Sequence, residues 1–169
     1  MQAFDVTTGE NLWTADPLSR AGYIDSLQNG IVYYSASNTK VLHAYNIRER
    51  KELWQKHLDD AVFEMTTLNS NTLLLKLGEF VLQSDNSYTQ HIKGLVTIDL
   101  QQGKTKGQYP DPQQQASNIE LMTWPVTVRR DGTFVYMNLS GGTSTQALTY
   151  TFTGFSPTCK QLWQVSFAY

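Results

Sequence analysis

Ala3-Phe4-Asp5-Val6-Thr7-Thr8-Gly9-Glu10-Asn11-Leu12-Trp13 is the first of three stretches that share one pattern. The others are Ala44-Tyr45-Asn46-Ile47-Arg48-Glu49-Arg50-Lys51-Glu52-Leu53-Trp54 and Val96-Thr97-Ile98-Asp99-Leu100-Gln101-Gln102-Gly103-Lys104-Thr105. Each runs from an apolar strand end through an Asp or Asn and a short turn to a polar strand start, and the first two close on Leu-Trp. A recurring unit of this kind is typical of repeat architectures.

Composition narrows the function classes. The chain has 169 residues, of which 40% are hydrophobic and 12% aromatic, and this ring content favours pleated sheet. A formal net charge of -2 does not provide the excess of basic residues that binding to nucleic acid requires. No apolar run is long enough to span a membrane, and Met1-Gln2-Ala3-Phe4-Asp5 lacks the basic and apolar regions of an export signal. The single cysteine excludes an internal disulfide.

Turn residues divide the chain into short strands. Gly9 closes a first hairpin, because glycine adopts positive φ without a Cβ clash, while Asn29-Gly30 and Asp131-Gly132 are strong signals of tight hairpin turns. The polar stretch at 110–117 is composed like a linker or extended loop. The predicted strands are 2–6, 10–13, 22–27, 31–35, 40–46, 51–56, 61–68, 72–77 with an extension at 79–83 past a bulge at Gly78, 92–99, 104–109, 118–124, 126–138 folded back through 130–132, 145–153 and 160–167.

The spacing of the repeats favours one all-β architecture over another. No segment has a helical apolar period, so we expect essentially no helix. Short strands with frequent turns also suit a β-sandwich. Trp13 and Trp54, however, lie 41 residues apart, which is the length of one four-stranded propeller blade.

The motif resembles the PQQ-like repeat, a β-propeller family with WD40-like four-stranded blades. The pattern apolar-Asp-x-x-x-Gly-x-x-x-Trp is clearest at Phe4 to Trp13, with echoes at Tyr45 to Trp54, Ile98 to Gly107 and Tyr150 to Trp163. The family includes quinoprotein alcohol dehydrogenases, the outer-membrane assembly lipoprotein of the Bam complex and the luminal domains of stress sensors. The resemblance implies one partial propeller domain over residues 1–169, with blades near 1–14 (half), 20–57, 60–109 and 117–168.

The resemblance also assigns structural roles to the repeat residues. It implies that the Trp of each fourth strand docks between neighbouring blades, while the Asp and Gly shape the preceding turn. The turn after the third strand of the last unit is expected to be longer and to contain Gly154 and Pro157. The structural repeat set is Asp5, Gly9, Trp13, Asn46, Trp54, Asp99, Gly103 and Trp163.

No catalytic, cofactor-binding or metal-binding residue is predicted. His43, His57 and His91 are not in metal-ligand spacing, and the cluster of Asp59, Asp60 and Glu64 is expected to be a solvated connector. The enzymes of the family bind a quinone and calcium, often beside a vicinal disulfide. The lone Cys159 rules out that disulfide and is expected to be an exposed thiol in a turn.

The favoured interpretation is a non-catalytic propeller that serves as an interaction or assembly scaffold. Its contacts would come from loops at 16–21, 58–62 and 109–118, since a rigid propeller holds variable loops in place. A protein partner or the remaining blades would complete it. A quinone- and calcium-dependent dehydrogenase propeller stays open as an alternative, as does a carbohydrate binder that uses the rings of Tyr88, Trp124 and Tyr169. The family resemblance implies an exported, periplasmic-type location.

Overall fold

The computed structural model describes residues 2–14, 23–35, 39–111, 125–140 and 147–169. Every regular element in those ranges is a β-strand, so the predicted all-β fold class is confirmed. The strands are β1 (Gln2–Phe4), β2 (Asn11–Thr14), β3 (Tyr23–Gln28), β4 (Ile31–Ser35), β5 (Val41–Asn46), β6 (Lys51–His57), β7 (Ala61–Asn69), β8 (Thr72–Leu82), β9 (Tyr88–Asp99), β10 (Thr105–Tyr109), β11 (Thr127–Val128), β12 (Phe134–Ser140), β13 (Thr149–Phe155) and β14 (Gln161–Ala168).

The described strands form four antiparallel sheets, each made of strands that follow one another in the chain. Sheet I pairs β1 with β2, and sheets II, III and IV each contain four strands: β3–β6, β7–β10 and β11–β14. Two compact units contain them. Met1–Asp59 holds sheets I and II, and Asp60–Tyr169 holds sheets III and IV.

Most predicted strands lie within a few residues of the observed ones. Asn29 and Gly30 have φ of 52° and 78°, as a tight hairpin turn requires. Two predictions need correction. The strand predicted at 92–99 begins at Tyr88, and Gly154 lies inside β13 rather than in the following turn, because Trp163 of β14 pairs directly with it. The strand predicted at 118–124 lies outside the described residues.

One β-bulge recurs in all four sheets. In each, the last strand carries one extra residue just before the position that holds Trp13, Trp54 or Trp163. We call this the Trp position; in sheet III it is Gly107. The residues paired with it are small in three sheets (Ala3, Ala44 and Gly154) and a threonine, Thr97, in sheet III. A bulge increases strand twist and re-aims side chains, so the same local device sets the last strand of every unit.

The turn before the last strand is held by a side-chain acceptor. Asp5 Oδ1 accepts hydrogen bonds from the backbone N–H groups of Thr7 and Thr8, at 2.7 and 3.0 Å. Asn46 and Asp99 each accept the equivalent two bonds, from residues 48–49 and 101–102. These carboxylates and this amide replace water as the partner of the turn's free N–H groups.

The same turn needs a left-handed residue four positions after the acceptor. Gly9 and Gly103 fill it with φ of 71° and 68°. Sheet II uses Arg50, at φ 54°, in that place. The turn of sheet IV is one residue shorter: Ser156 Oγ is the acceptor, and Cys159 has φ of 57°. Sheets II and IV therefore keep the side-chain acceptor and the left-handed residue of the turn, although other residues replace the Asp and Gly of the sequence pattern.

Hydrogen bonding in these turns lowers the pKa of their carboxyl groups. For Asp5, bonds from the Thr8 and Thr7 backbone hold the pKa below its usual value. For Asp99, burial alone raises the pKa, but the N–H groups of residues 102 and 101, the Asn71 amide and the charge of Lys106 outweigh it, so the pKa is lowered. A depressed native pKa stabilises the fold above the unfolded value, near 4, and that stabilisation is lost as the pH falls through the native pKa.

Replacement of Asp99 tests this turn. Asp99→Ala removes the acceptor and should lower the free energy of unfolding by about 1 kcal/mol at pH 7. Asp99→Asn should retain the turn, because Asn46 already makes the same two bonds in sheet II. Urea unfolding at pH 7 and pH 3 measures both effects. We expect Asp99→Asn to lose less stability than the wild type on acidification, and identical pH 7 curves for wild type and Asp99→Ala would contradict the role.

Candidate functional site

Sheets III and IV pack on each other through a shared apolar core. Tyr109 of β10 meets Phe155 of β13 edge to face, with ring centroids 4.8 Å apart, and Phe155 stacks on Phe134 at 5.2 Å. Aromatic pairs at these separations add to the stabilisation that burial gives. The core residues are Leu68, Leu74, Ile92 and Leu95 of sheet III and Phe134, Tyr136, Phe155 and Cys159 of sheet IV and its turn.

The Trp position of sheet III lies directly against the backbone of the turn between β13 and β14. A Cβ built on Gly107 would lie 1.8 Å from the carbonyl oxygen of Thr158, in the turn between β13 and β14. Only a residue without a side chain fits there. The neighbouring backbone therefore explains why this position holds Gly and not Trp. From the sequence alone, the missing Trp looks like a degenerate copy of the repeat.

Cys159 lies in the same contact, and its predicted exposure is wrong. The side chain is 3% exposed, and its Sγ lies 3.9 Å from both the Leu95 carbonyl oxygen and Thr97 Oγ1. The turn carries the thiol into the interface because residue 159 takes the left-handed conformation. Burial raises the pKa of Cys159 to about 12, so the thiolate needed for reactivity is disfavoured.

A buried cation also bridges this interface. Lys76 of β8 is 2% exposed, forms an ion pair with Glu64 of β7, and places its Nζ 5.5 Å from the ring centroid of Tyr136 in β12. Burial, with the nearby charge of Glu64, raises the pKa of Tyr136, so its hydroxyl stays protonated. A buried ammonium needs such partners, and removal of one of them is typically far more costly than removal of a surface pair.

A cleft of about 480 Å³ opens at the outer end of the interface. Gln108, Asp111, Thr158, Lys160 and Gln161 are among the residues that line it. These side chains offer amides, a hydroxyl and single charges of each sign.

Gly107 provides a direct test of the interface. Gly107→Ala forces the Thr158 backbone to move and should lower the free energy of unfolding by about 1–3 kcal/mol, as overpacking does. Gln108→Ala, one residue along the same strand and exposed, is the matched control and should have little effect. Thermal or urea unfolding compares them, and equal stability of the two variants would contradict the contact.

The opposite face of β12–β14 is apolar and open, and Arg129 and Asp131 lie at its edge, where they line a pocket of about 220 Å³ with Trp163. Trp163, Val165 and Phe167 of β14 are 44%, 42% and 58% exposed. The strand register places them on one face with Tyr150 and Phe152 of β13, and with Val135, Met137 and Leu139 of β12. The Trp163 ring lies against Gly154, where a Cβ would come within 2.2 Å of it. We call this surface the Trp face of sheet IV, since it carries the Trp position.

A second exposed apolar surface lies on a hairpin that projects from sheet III. β7 pairs with β8 only as far as Gly78, and β10 pairs with β9 only as far as Leu95. Beyond these points residues 79–91 continue as two strands alone. Phe80, Leu82 and Tyr88 share one face of this projecting hairpin and are 46%, 55% and 66% exposed.

The reverse side of the projecting hairpin carries Val81 and, at its base, an internally paired group of charges. Lys93 Nζ lies 2.8 Å from Glu79 Oε2 and 3.4 Å from Asp60 Oδ1. The hydrogen bond from Lys93 is the main cause that lowers the pKa of Glu79. The projecting hairpin is therefore amphipathic, with one apolar side and one charged side.

In sheet II the Trp position is occupied by Trp54. Its ring centroid lies 5.9 Å from that of Tyr33, and both residues flank Ala44 across the sheet. On the other face, His43 stacks on Tyr34 with centroids 4.7 Å apart, and its Nδ1 lies 2.8 Å from Glu52 Oε2. This histidine has a packing and pairing role that its surroundings explain fully.

The remaining predicted residues are placed as follows. Trp13 lies in β2, at the Trp position of sheet I, but its side chain is outside the described part of the structure, as is Trp124. Asp60 pairs with Lys93 and Glu64 with Lys76, so two members of the predicted acidic cluster are ion-paired. Tyr169 is 97% exposed.

Sequence reasoning missed the ion pair of Lys76, which an isolated charge in a run of leucines could have signalled.

The described ranges lack the features of a metal centre and of a membrane-spanning helix. Those ranges contain no group of three or more His, Cys, Asp or Glu side chains placed to hold a metal ion. Among the same residues, no helix is long and apolar enough to cross a membrane.

Comparison with known proteins gives a family and a fold. A family model described as outer membrane protein assembly factor BamB matches residues 1–166. Hsv2 from Kluyveromyces lactis superposes with a TM-score of 0.50 at 9% identity, over 96% of this chain and 56% of that one. BamB from Moraxella catarrhalis gives a TM-score of 0.43 at 14% identity, over 97% and 57%. No curated protein sequence matches. The chain thus spans about half the length of the solved structures it resembles, and its fold is that of a partial β-propeller.

Proposed function

The chain belongs to the family of the outer membrane protein assembly factor BamB, and from that premise we propose that it is a non-catalytic β-propeller scaffold that binds other proteins. The family description names a factor for the assembly of outer membrane proteins. In this proposal the 169 residues act as one partial propeller domain, with a half blade near 1–14 and blades near 20–57, 60–109 and 117–168.

The projecting hairpin is the observation that carries the proposal. Large apolar side chains exposed together on a ribbon of two strands cost free energy unless something covers them. Phe80 also packs edge to face on Phe63, with centroids 4.9 Å apart, and Phe63 contacts the core between sheets III and IV. The apolar side of the hairpin is thus anchored at its base and exposed at its tip.

The chemistry of the hairpin favours an extended polypeptide as its partner. Both of its edges have unpaired strand backbone, which can pair with an added strand, and a lone two-stranded ribbon is marginally stable in water. A strand that pairs with either edge could lay apolar side chains beside Phe80 and Leu82. The charges on the reverse side already satisfy one another, so they do not call for an anionic or cationic ligand.

The loops expected to make contacts fit this location in part. Asp60, in the loop predicted at 58–62, is joined to the base of the hairpin through Lys93. The loop at 16–21 lies outside the described residues, as does most of the loop at 109–118. We propose that the hairpin and Asp60 of the 58–62 loop belong to one contact region.

A charge on the apolar side of the hairpin tests the scaffold function. Leu82→Asp should weaken partner binding at least about tenfold, because a carboxylate would be buried without a counterion. Ser84→Asp adds the same charge in the loop of the same hairpin and is the matched control. Partner recovered with wild type, Leu82→Asp and Ser84→Asp from the native host, quantified by mass spectrometry, measures the effect.

A ligand titration decides between the scaffold and the enzymatic alternative. We expect no saturable change in absorbance when pyrroloquinoline quinone and calcium are added to the purified chain. Saturable quinone binding would overturn the proposal, as would a partner that binds Leu82→Asp and wild type equally well.

A further inference from the structure

β14 is the edge strand of sheet IV, and its open edge is unprotected. Among the described strands it pairs with β13 alone, and all eight of its residues are exposed. The strand contains no charged residue, proline or glycine. Arg129 and Asp131, which line a pocket at its Trp163 end, belong to the connection between β11 and β12. An exposed edge with these properties is a template for pairing with another strand.

The last strands of the other three sheets carry the usual protection of an edge. β6 contains Lys51, Glu52 and Lys56. β10 has five residues, includes Lys106 and is followed by Pro110. β2 has only four residues. Charges, proline and short length all discourage edge pairing. β14 therefore differs from its equivalents in the one property that decides whether an edge pairs.

The backbone of β14 alternates between β13 and the open side. The N–H of Tyr169 donates to the Leu148 carbonyl oxygen at 2.8 Å, and the pairing runs on without a shift as far as Gly154. In an antiparallel ladder, successive residues direct their N–H and C=O groups to opposite sides. The even-numbered residues from Gln164 to Ala168 therefore direct these groups away from β13.

From this alternation we infer that β14 pairs antiparallel with β14 of a second copy of the chain, with Val165 on the twofold axis. In this register the outward backbone groups of Gln164 bond to those of the partner's Ser166, and the reverse pair forms by symmetry. The contact lies in sheet IV and does not involve the projecting hairpin, so the inference can hold or fail independently of the proposed function.

The side chains on both faces match in this register. Val165 faces the partner's Val165, and Trp163 faces the partner's Phe167. These are non-hydrogen-bonded positions, where side chains of opposite strands approach most closely. Aromatic and β-branched pairs of this kind stabilise antiparallel strands. On the other face Gln164 lies opposite the partner's Ser166, so polar residues meet polar residues.

The absence of charge in β14 explains why the partner is a second copy. A strand with charged side chains on this side would place a charge beside Val165 or Phe167, and β14 offers it no counterion. The partner strand must therefore be as uncharged as β14 itself. Among the described last strands, β14 is the one of more than four residues that meets this condition. A twofold contact also closes after two copies, so it gives a dimer.

Disulfide trapping in the full chain tests the register. Val165→Cys places two thiols opposite each other on the axis, within reach of a disulfide. Gln164→Cys is the matched control, because position 164 faces position 166 and not itself. With copper phenanthroline as oxidant, we expect a disulfide-linked dimer to form at least about tenfold faster from Val165→Cys. The wild type should form none, since its one thiol, Cys159, is buried.

Charge exchange at the same position tests the partner. Val165→Lys and Val165→Glu each oppose like charges on the axis, so each alone should be monomeric where the wild type is dimeric in analytical ultracentrifugation. An equal mixture of the two should recover the dimer, because an ammonium then faces a carboxylate. A residue that only supports the fold of β14 would not give this recovery. Circular dichroism establishes that the variants are folded.

Four results would overturn the inference. They are a wild type that stays monomeric at all concentrations, equal trapping from positions 164 and 165, faster trapping from Ser166→Cys, and a mixture of folded charge variants that stays monomeric. Trapping of Val165→Cys on another protein in place of a second copy would overturn it too. If the charge variants do not fold, the comparison of Val165→Cys with Gln164→Cys decides alone.

Discussion

The approach of the Thr158 backbone to Gly107 is the constraint on which the second unit of this protein depends. Because no side chain separates the two segments, sheet IV can lower its 156–159 turn onto sheet III and bury Cys159 beneath it. The aromatic contacts of Tyr109, Phe134 and Phe155 follow from that spacing. A single residue without a Cβ thus fixes how two sheets meet, and the apolar core fills the space that remains.

Two local devices bring the chain to that geometry. A side-chain oxygen organises the turn before each last strand, and a bulge then places the next residue at the Trp position. Because the turn and the bulge recur in every sheet, each sheet has one face that carries the Trp position and one opposite face. Sheet III packs through its Trp face on the other face of sheet IV. The Trp face of sheet IV, which includes Phe167, is exposed. The projecting hairpin lies beyond the four-stranded part of sheet III, which ends at Gly78 and Leu95.

The sequence predicts the local part of this structure well. Strand periodicity, Asn29-Gly30 and the repeated Asp-to-Trp spacing predict most strands, the turns and the all-β class, since these depend on neighbouring residues. Tertiary features are not visible in that way. Gly107 looks like a lost tryptophan until Thr158 is seen against it, and Cys159 looks exposed because turns usually are.

Other misses have the same origin. The hairpin is longer than predicted because Tyr88 begins a strand whose partner, Leu82, lies on the far side of a polar loop. Lys76 is buried in a run of leucines because Glu64 and Tyr136 come from two other strands. An isolated charge in a run of leucines indicates that Lys76 is paired, but no pattern within one strand identifies its partners. The roles of Trp13 and Trp54 between blades stay predictions.

The labelling rate of Cys159 tests the central claim most directly, because this is the only thiol in the chain and it lies within the contact between sheets III and IV. The native protein at neutral pH should react with an aromatic disulfide reagent far more slowly than the urea-unfolded chain, since burial and the raised pKa both withhold the thiolate. Rapid stoichiometric labelling of the folded protein would show that the turn is not seated on Gly107, and the account of directional sheet packing would be wrong.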